Sequence, residues 1–244
     1  MKKIIVANWK MYLTLRESVA LAKKFTDISS QFTDVQLVLC PSFIALEEVA
    51  KVIKRTKIKL GAQDVEPEKR GAFTGEVGLD DLGALGVQYV LVGHSERRRL
   101  FGETDATVNR KLRAVLASGM RPILCVGEPL EVRRKGMEMV RKYVGKQIRM
   151  GLKQVKAHDL KRIVIAYEPV WAIGANRADT PEDAQEVHNA IRQEISISKI
   201  PILYGGSVNA KNATKFLQTP GIGGLLIGRA STAAKEFEKI VAVI

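Results

Sequence analysis

Eight short apolar runs, separated by stretches of helical period, constrain this chain more than any other feature. They are Lys3–Ala7, Val35–Cys40, Ile58–Ala62, Val87–Val92, Pro122–Val126, Arg162–Tyr167, Pro201–Tyr204 and Gly224–Ile227. Each is nearly continuous in apolar residues, as expected of parallel strands buried on both faces. Helical stripes lie between them. In Glu103–Ser118 the stripe is Val108, Leu112, Val115 and Leu116; in Pro181–Ser196 it is Ala184, Val187, Ile191 and Ile195. The second helix opens with Thr180 as cap, Pro181 in the first position and Asp183 completing a capping-box pattern. Ala230–Val243 is expected to be the closing helix. Eight strand–helix units without a Pro/Gly/Ser-rich linker predict an α/β fold, a single (β/α)8-barrel domain over residues 1–244. An open doubly wound sheet is the competing arrangement. No repeat of fixed period and no low-complexity tract is found.

The 244-residue length suits one such barrel, and 46% hydrophobic with 27% charged residues is a globular composition. No apolar run approaches the roughly 18 residues of a membrane span. The apolar run after Lys2-Lys3 is too short for a secretory signal, so a cytoplasmic protein is expected. Cys40 and Cys125 each sit inside an apolar run and read as buried thiols; no metal-ligand spacing occurs. The net charge is 39 − 26 = +13, a field that attracts anionic substrates and nucleic acid alike. The clusters Lys51–Lys59 and Arg133–Lys135 read as solvated basic faces.

In a parallel barrel the strand C-termini share one rim, and sites are built there. Strand one runs into Asn8-Trp9-Lys10, strand four into Gly93-His94-Ser95-Glu96, and strand six into Tyr167-Glu168-Pro169. Strands seven and eight run into Gly205-Gly206-Ser207 and Gly228-Arg229. A carboxylate base, an imidazole, a lysine and two turns able to bring backbone N–H groups to a phosphate thus converge on one mouth. Alone, Lys10 reads as a surface lysine, His94 as a hydrogen-bonded structural histidine and Glu168 as a helix cap; together they read as a site. His158 and His188 are expected on the surface.

The segments Ala7-Asn-Trp-Lys-Met, Gly61-Ala-Gln, Gly71-Ala-Phe-Thr-Gly-Glu, Val92-Gly-His-Ser-Glu-Arg-Arg, Phe101-Gly-Glu, Ala166-Tyr-Glu-Pro-Val-Trp-Ala-Ile-Gly, Glu182-Asp-Ala-Gln-Glu-Val-His and Tyr204-Gly-Gly-Ser-Val go further. With them the chain resembles the triosephosphate isomerase family along essentially its full length. The resemblance implies interconversion of glyceraldehyde 3-phosphate and dihydroxyacetone phosphate. It implies Glu168 as the base at carbon and His94, held neutral, as the group that polarises the carbonyl, as in that family. Lys10 and Asn8 would bind substrate, with Ser95 and Glu96 in support and Glu96 partnering Lys10. Gly174, Ser207, Gly228 and Arg229 would offer backbone N–H groups to the phosphate. No metal or organic cofactor is implied, because charge and hydrogen bonds suffice for an enediolate.

The resemblance also implies a lid over Pro169–Thr180 and a homodimer. The loop Gln63–Gly78, with Thr74, would reach the neighbouring subunit and brace its lysine. No nucleic-acid or membrane partner is expected. The chain departs from the family pattern at Ala175-Asn-Arg in the second lid hinge, at Gly78 in place of serine, and at Arg229 in place of a second glycine. Asn176 tolerates positive φ, so hinge function should survive. The Arg229 side chain is expected to turn away from substrate, with a modest loss of phosphate affinity. Another sugar-phosphate isomerase or lyase, or an anion- or nucleic-acid-binding barrel without catalysis, are the competing functions; Lys10, His94 and Glu168 together disfavour both.

Overall fold

A computed structural model describes residues 2–32, 34–174, 179–195 and 200–244. Eight strands are present: β1 (Lys3–Asn8), β2 (Val35–Cys40), β3 (Lys59–Ala62), β4 (Tyr89–Val92), β5 (Arg121–Val126), β6 (Val164–Tyr167), β7 (Ile202–Tyr204) and β8 (Gly224–Ile227). They form a closed barrel in sequence order. Every pairing is parallel, and closure pairs Ile4–Ala7 of β1 with Gly224–Ile227 of β8. The open doubly wound sheet is thereby excluded.

The continuous apolar runs have a physical explanation in two separate buried layers. Ile4, Val6, Val38, Cys40, Leu91, Ile123, Cys125, Ala166, Leu203 and Leu226 pack with one another inside the barrel. Their neighbours Ile5, Ala7, Leu37, Leu39, Val90, Val92, Leu124, Tyr167 and Tyr204 pack outward with helix residues such as Phe25, Val49, Leu112, Ile148 and Phe237. Successive side chains on a strand point to opposite faces, so a strand apolar on both must be covered on both. Both cysteines are buried and free, as expected, and burial pushes the Cys40 thiol well up.

Several expected boundaries shift. The ladders of β3, β4, β6 and β7 begin one or two residues after the apolar runs do. Ile58 and Val87 are still buried, so their apolar character serves packing beneath the sheet rather than pairing. The closing helix is divided into a 3-10 turn, Arg229–Thr232, and an α-helix, Ala234–Val241. In that turn the Ser231 hydroxyl donates to Gly228 O at 2.7 Å and the Thr232 hydroxyl to Arg229 O at 2.8 Å, local bonds that compete with a continuous α-helix. The helix Pro181–Ile195 is capped by Thr180, whose hydroxyl accepts the Asp183 N–H at 3.1 Å. The Asp183 carboxylate pairs with Arg133. Gly78 precedes the helix Leu79–Ala84 with no side chain to cap it.

His188 corrects the expectation of a surface residue. It is fully buried in Pro181–Ile195, with its ring edge-on to Tyr167 at 5.8 Å, and burial lowers its pKa to about 3. It lies four residues after Ala184 and three before Ile191, on the buried stripe itself. His158 is exposed.

An aromatic column ties the two ends of the chain together. Phe25, in the helix Leu15–Gln31, meets Trp9 edge-on at 5.8 Å and stacks on Phe237 of the last helix at 4.3 Å. Phe25→Ala should lower unfolding free energy by about 3–5 kcal/mol. Urea titration is expected to show an earlier midpoint with unchanged slope.

Candidate active site

The rim of strand C-termini carries the predicted residues. Asn8 ends β1, and its Oδ1 accepts the Lys10 N–H at 3.1 Å. Lys10 itself adopts φ 49, a conformation that side chains disfavour, so neighbouring contacts must hold it. Gln63 Nε2 donates to the Lys10 carbonyl at 2.9 Å, and the Lys10 ammonium pairs with Glu96 at 2.6 Å. The expected Lys10–Glu96 partnership is therefore present.

After β4 the chain turns at Gly93, whose φ of 72 and a Cβ position 2.7 Å from Val108 both demand glycine. That turn makes His94 the N-cap of the helix Ser95–Phe101, with Nδ1 accepting the Glu96 N–H at 3.2 Å. A ring nitrogen that accepts a backbone N–H carries no proton of its own, so the proton of a neutral ring is on Nε2. Nε2 lies 3.0 Å from Glu168 Oε1, and Glu168 Oε2 accepts the Ser95 N–H at 3.1 Å. Glu168 follows β6, close beside Gly127 at the end of β5; a Cβ there would lie 1.7 Å from the Glu168 carbonyl oxygen. Only glycine lets Glu168 approach its neighbouring strand this closely.

Both partners are buried, Glu168 at 2% and His94 at 6% exposure. Burial alone would raise the Glu168 pKa, but His94, the Ser95 N–H and Lys10 together hold it below the usual carboxylate range. Burial opposes charging His94, and the Glu168 carboxylate outweighs that and raises its pKa in the substrate-free site. That upward pull depends on Glu168 staying where it is; the Glu96 N–H at Nδ1 opposes it.

A cavity of about 530 Å³ opens on the same rim. Asn8, Lys10, Gly174, Ser207, Gly228 and Arg229 all line it, so the structure gathers every residue expected to bind substrate. Tyr12, Ile173 and Asn209 line it as well and were not anticipated. Arg229 opens a 3-10 turn without positive φ, so an arginine there strains nothing. Its guanidinium lies over the Tyr12 ring, 5.4 Å from the centroid.

The described ends of the segment 169–180 are held by Glu128, Ser207 and Arg133. Trp171 Nε1 donates to Glu128 Oε1 at 2.8 Å, and the Tyr167 hydroxyl also reaches Glu128. Ser207 Oγ donates to the Ala172 carbonyl at 2.6 Å. Arg133 stands over the Trp171 ring at 5.3 Å and pairs with Asp179 at 3.3 Å, which corrects its reading as part of a solvated face. One side chain thus holds the segment from both sides. The hinge Ala175-Asn-Arg lies outside the described residues. Arg97 and Arg98 are also committed: Arg97 to Asp64 and Glu103, Arg98 to Asp105 and the Gly93 carbonyl. Lys51 stays exposed, pairing only with Glu47 and Glu48.

Gln63 follows β3 directly and Glu128 comes two residues after β5, so asking the strand-end question of every strand finds them. Asp179 is 5% exposed, and burial lifts its pKa from 3.8 to about 6 despite Arg133. A raised folded-state pKa stabilises below the unfolded value and loses that stabilisation as pH rises through 6. Asp179→Asn should therefore gain stability over wild type by about 2–3 kcal/mol above pH 7, the gain disappearing near pH 4. Denaturant titrations of both proteins across that range check it.

A profile of the triosephosphate isomerase family matches residues 3–244. The triosephosphate isomerase of Aquifex aeolicus is 46% identical over 247 aligned residues, with 99% of each chain covered. Those of Chlorobium phaeovibrioides and Dictyoglomus thermophilum are 46% and 44% identical, with 98% of each chain covered. The match takes in all eight strands and every rim residue described above, and the chain belongs to the triosephosphate isomerase family.

Proposed function

We propose that the whole chain, 1–244, is one catalytic domain that interconverts D-glyceraldehyde 3-phosphate and dihydroxyacetone phosphate, and that Glu168, His94 and Lys10 carry the reaction. The observation that supports this best is the buried Glu168–His94 pair, 3.0 Å apart, on the rim that holds the Lys10 cavity. Glu168 turns from Ser95 to the substrate and takes the proton from the carbon beside the carbonyl. The electron pair of that C–H bond forms the enediolate double bond, and the charge moves to the carbonyl oxygen. His94 donates its Nε2 proton to that oxygen and recovers one from the neighbouring hydroxyl. Glu168 then returns its proton to the adjacent carbon. Atoms and electrons balance without an oxidant, so the step calls for no metal or organic cofactor.

The environment suits these roles. A carboxylate held ionised is a ready base, and moving it away from His94 removes the main cause that raises the imidazole pKa. The Glu96 N–H at Nδ1 then favours a neutral ring that donates from Nε2. Lys10, fixed by Gln63 and Glu96, places positive charge where the oxyanion develops. Asn8 assists binding, and Ser95 holds the base between turnovers. Backbone N–H groups of Gly174, Ser207, Gly228 and Arg229 receive the phosphate. Closure over 169–180 keeps water from the enediolate phosphate.

We infer a homodimer through Gln63–Gly78. Met11 and Phe73 on loops, Ile44 in the first turn of Phe43–Ile53, and Leu100 and Phe101 at the end of Ser95–Phe101 are exposed large apolar side chains, a feature that favours burial against a second copy. Asp64, at the base of the loop, is anchored to Lys111 at 2.6 Å and Arg97 at 2.8 Å, which suits a loop that must present Thr74 rigidly. No helix among the described residues is long and apolar enough to cross a membrane. A cytoplasmic location and the absence of a nucleic-acid partner belong to the same proposal.

Two experiments test it. In a coupled assay with glyceraldehyde 3-phosphate, Glu168→Asp should lower kcat by about 10²-fold or more with little change in KM, because proton transfer demands hydrogen-bond reach. A wild-type chain inert in that assay overturns the function. Sedimentation should find a dimer at micromolar concentration, and Phe73→Asp should shift it toward monomer and reduce activity together.

A further inference from the structure

Two cations line the mouth cavity, Lys10 and Arg229, and no Asp or Glu is among the described residues that line it. Lys10 is neutralised by Glu96 at 2.6 Å. Among the described residues Arg229 has no carboxylate partner; its recorded contact is with the Tyr12 ring. An unpaired guanidinium on a cavity wall whose described lining residues include no acid favours an anion. Its placement is a property of this chain's own turn. Gly228 takes the unusual backbone angles φ −86 and ψ −115, and Arg229 itself has no positive φ, so it carries a long side chain without strain. Tyr12, half exposed and on the same cavity wall, offers a ring face as a platform. Cation–π contact engages that face and leaves the guanidinium N–H donors available.

We propose that the Arg229 side chain, seated on Tyr12, is a specificity-determining contact that binds the outer oxygens of the substrate phosphate and favours the dianion. This rests on the reading of the cavity as a triose-phosphate site. It replaces the expectation that the side chain turns away from the substrate. Backbone N–H groups grip the inner side of the phosphate as partial charges. Arg229 adds a full charge at the rim, where the dianion's second negative charge faces solvent. Arginine suits this position better than lysine because its planar fork matches two phosphate oxygens at once.

The test compares wild type with Arg229→Gln, Arg229→Lys and Tyr12→Ala, using inorganic phosphate as the probe. Competitive inhibition by phosphate and the KM for glyceraldehyde 3-phosphate are measured at low ionic strength and again near 0.2 M salt. Arg229→Gln is expected to raise both constants by about five- to tenfold at low salt, with a smaller change in kcat, since a charged hydrogen bond is lost. The effect should shrink at high salt. Arg229→Lys should keep part of the affinity, and Tyr12→Ala should move in the direction of Arg229→Gln. Lys161→Gln, the same charge change at an exposed site before β6 on the opposite end of the barrel, is the control for net charge and should match wild type. Constants for Arg229→Gln within about twofold of wild type, or a fall confined to kcat, overturn the proposal. Calorimetric titration of phosphate reads the same contact without turnover. A wild type that binds phosphate through Arg229 but is inert in the assay refutes the proposed function and leaves this contact standing.

Discussion

Closure of the sheet between β1 and β8 is the constraint on which everything else depends. The four-residue register of Ile4–Ala7 against Gly224–Ile227 brings the first and last strands side by side. It sets Asn8 and Lys10, from the start of the chain, against Gly228 and Arg229, from its end, on one cavity wall. Without closure the Gly228 turn and Lys10 would stand at opposite edges of an open sheet. The aromatic column Trp9–Phe25–Phe237 secures the same junction from the helical layer. Packing of the ends and assembly of the site are therefore one event.

The chemistry then follows from how little freedom the rim leaves. Gly93 turns the chain so that His94 caps a helix, and the cap contact selects which ring nitrogen carries the proton. Gly127 lets the Glu168 backbone lie against β5, so the carboxylate is buried yet hydrogen-bonded. Desolvation, which would keep the acid protonated, is overcome by three nearby donors and charges rather than by exposure to water. A carboxylate held ionised in this way has no shell of solvent to shed.

Much of this was legible in the sequence, for physical reasons. Strands buried on both faces cannot alternate, so the eight runs stood out, and parallel strands direct their C-terminal residues to one rim, which exposed Asn8, Lys10, His94 and Glu168. The long-range partners were not legible. Nothing local to Arg133 announces that it stands between Trp171 and Asp179, because that contact joins two stretches far apart along the chain. The burial of His188 is written in its place on the stripe with Ala184 and Ile191, and only the polarity of its ring argues against it. The division of the last helix at Ala233 depends on hydroxyl bonds from Ser231 and Thr232, which a helical period does not register.

The unusual backbone of Lys10 has a consequence for assembly. Its carbonyl is held by Gln63, the first residue of the loop proposed to enter the neighbouring subunit. The conformation of the lysine and the placement of that loop therefore share one free energy. In the proposed dimer, whatever the partner does to settle the loop also settles Lys10, and reciprocity requires the reverse. A substrate that draws Lys10 into place tightens the association of the two subunits by the same factor that association improves its binding. Dilution and substrate saturation then act as opposing forces on a single equilibrium, and Lys10 is where they meet.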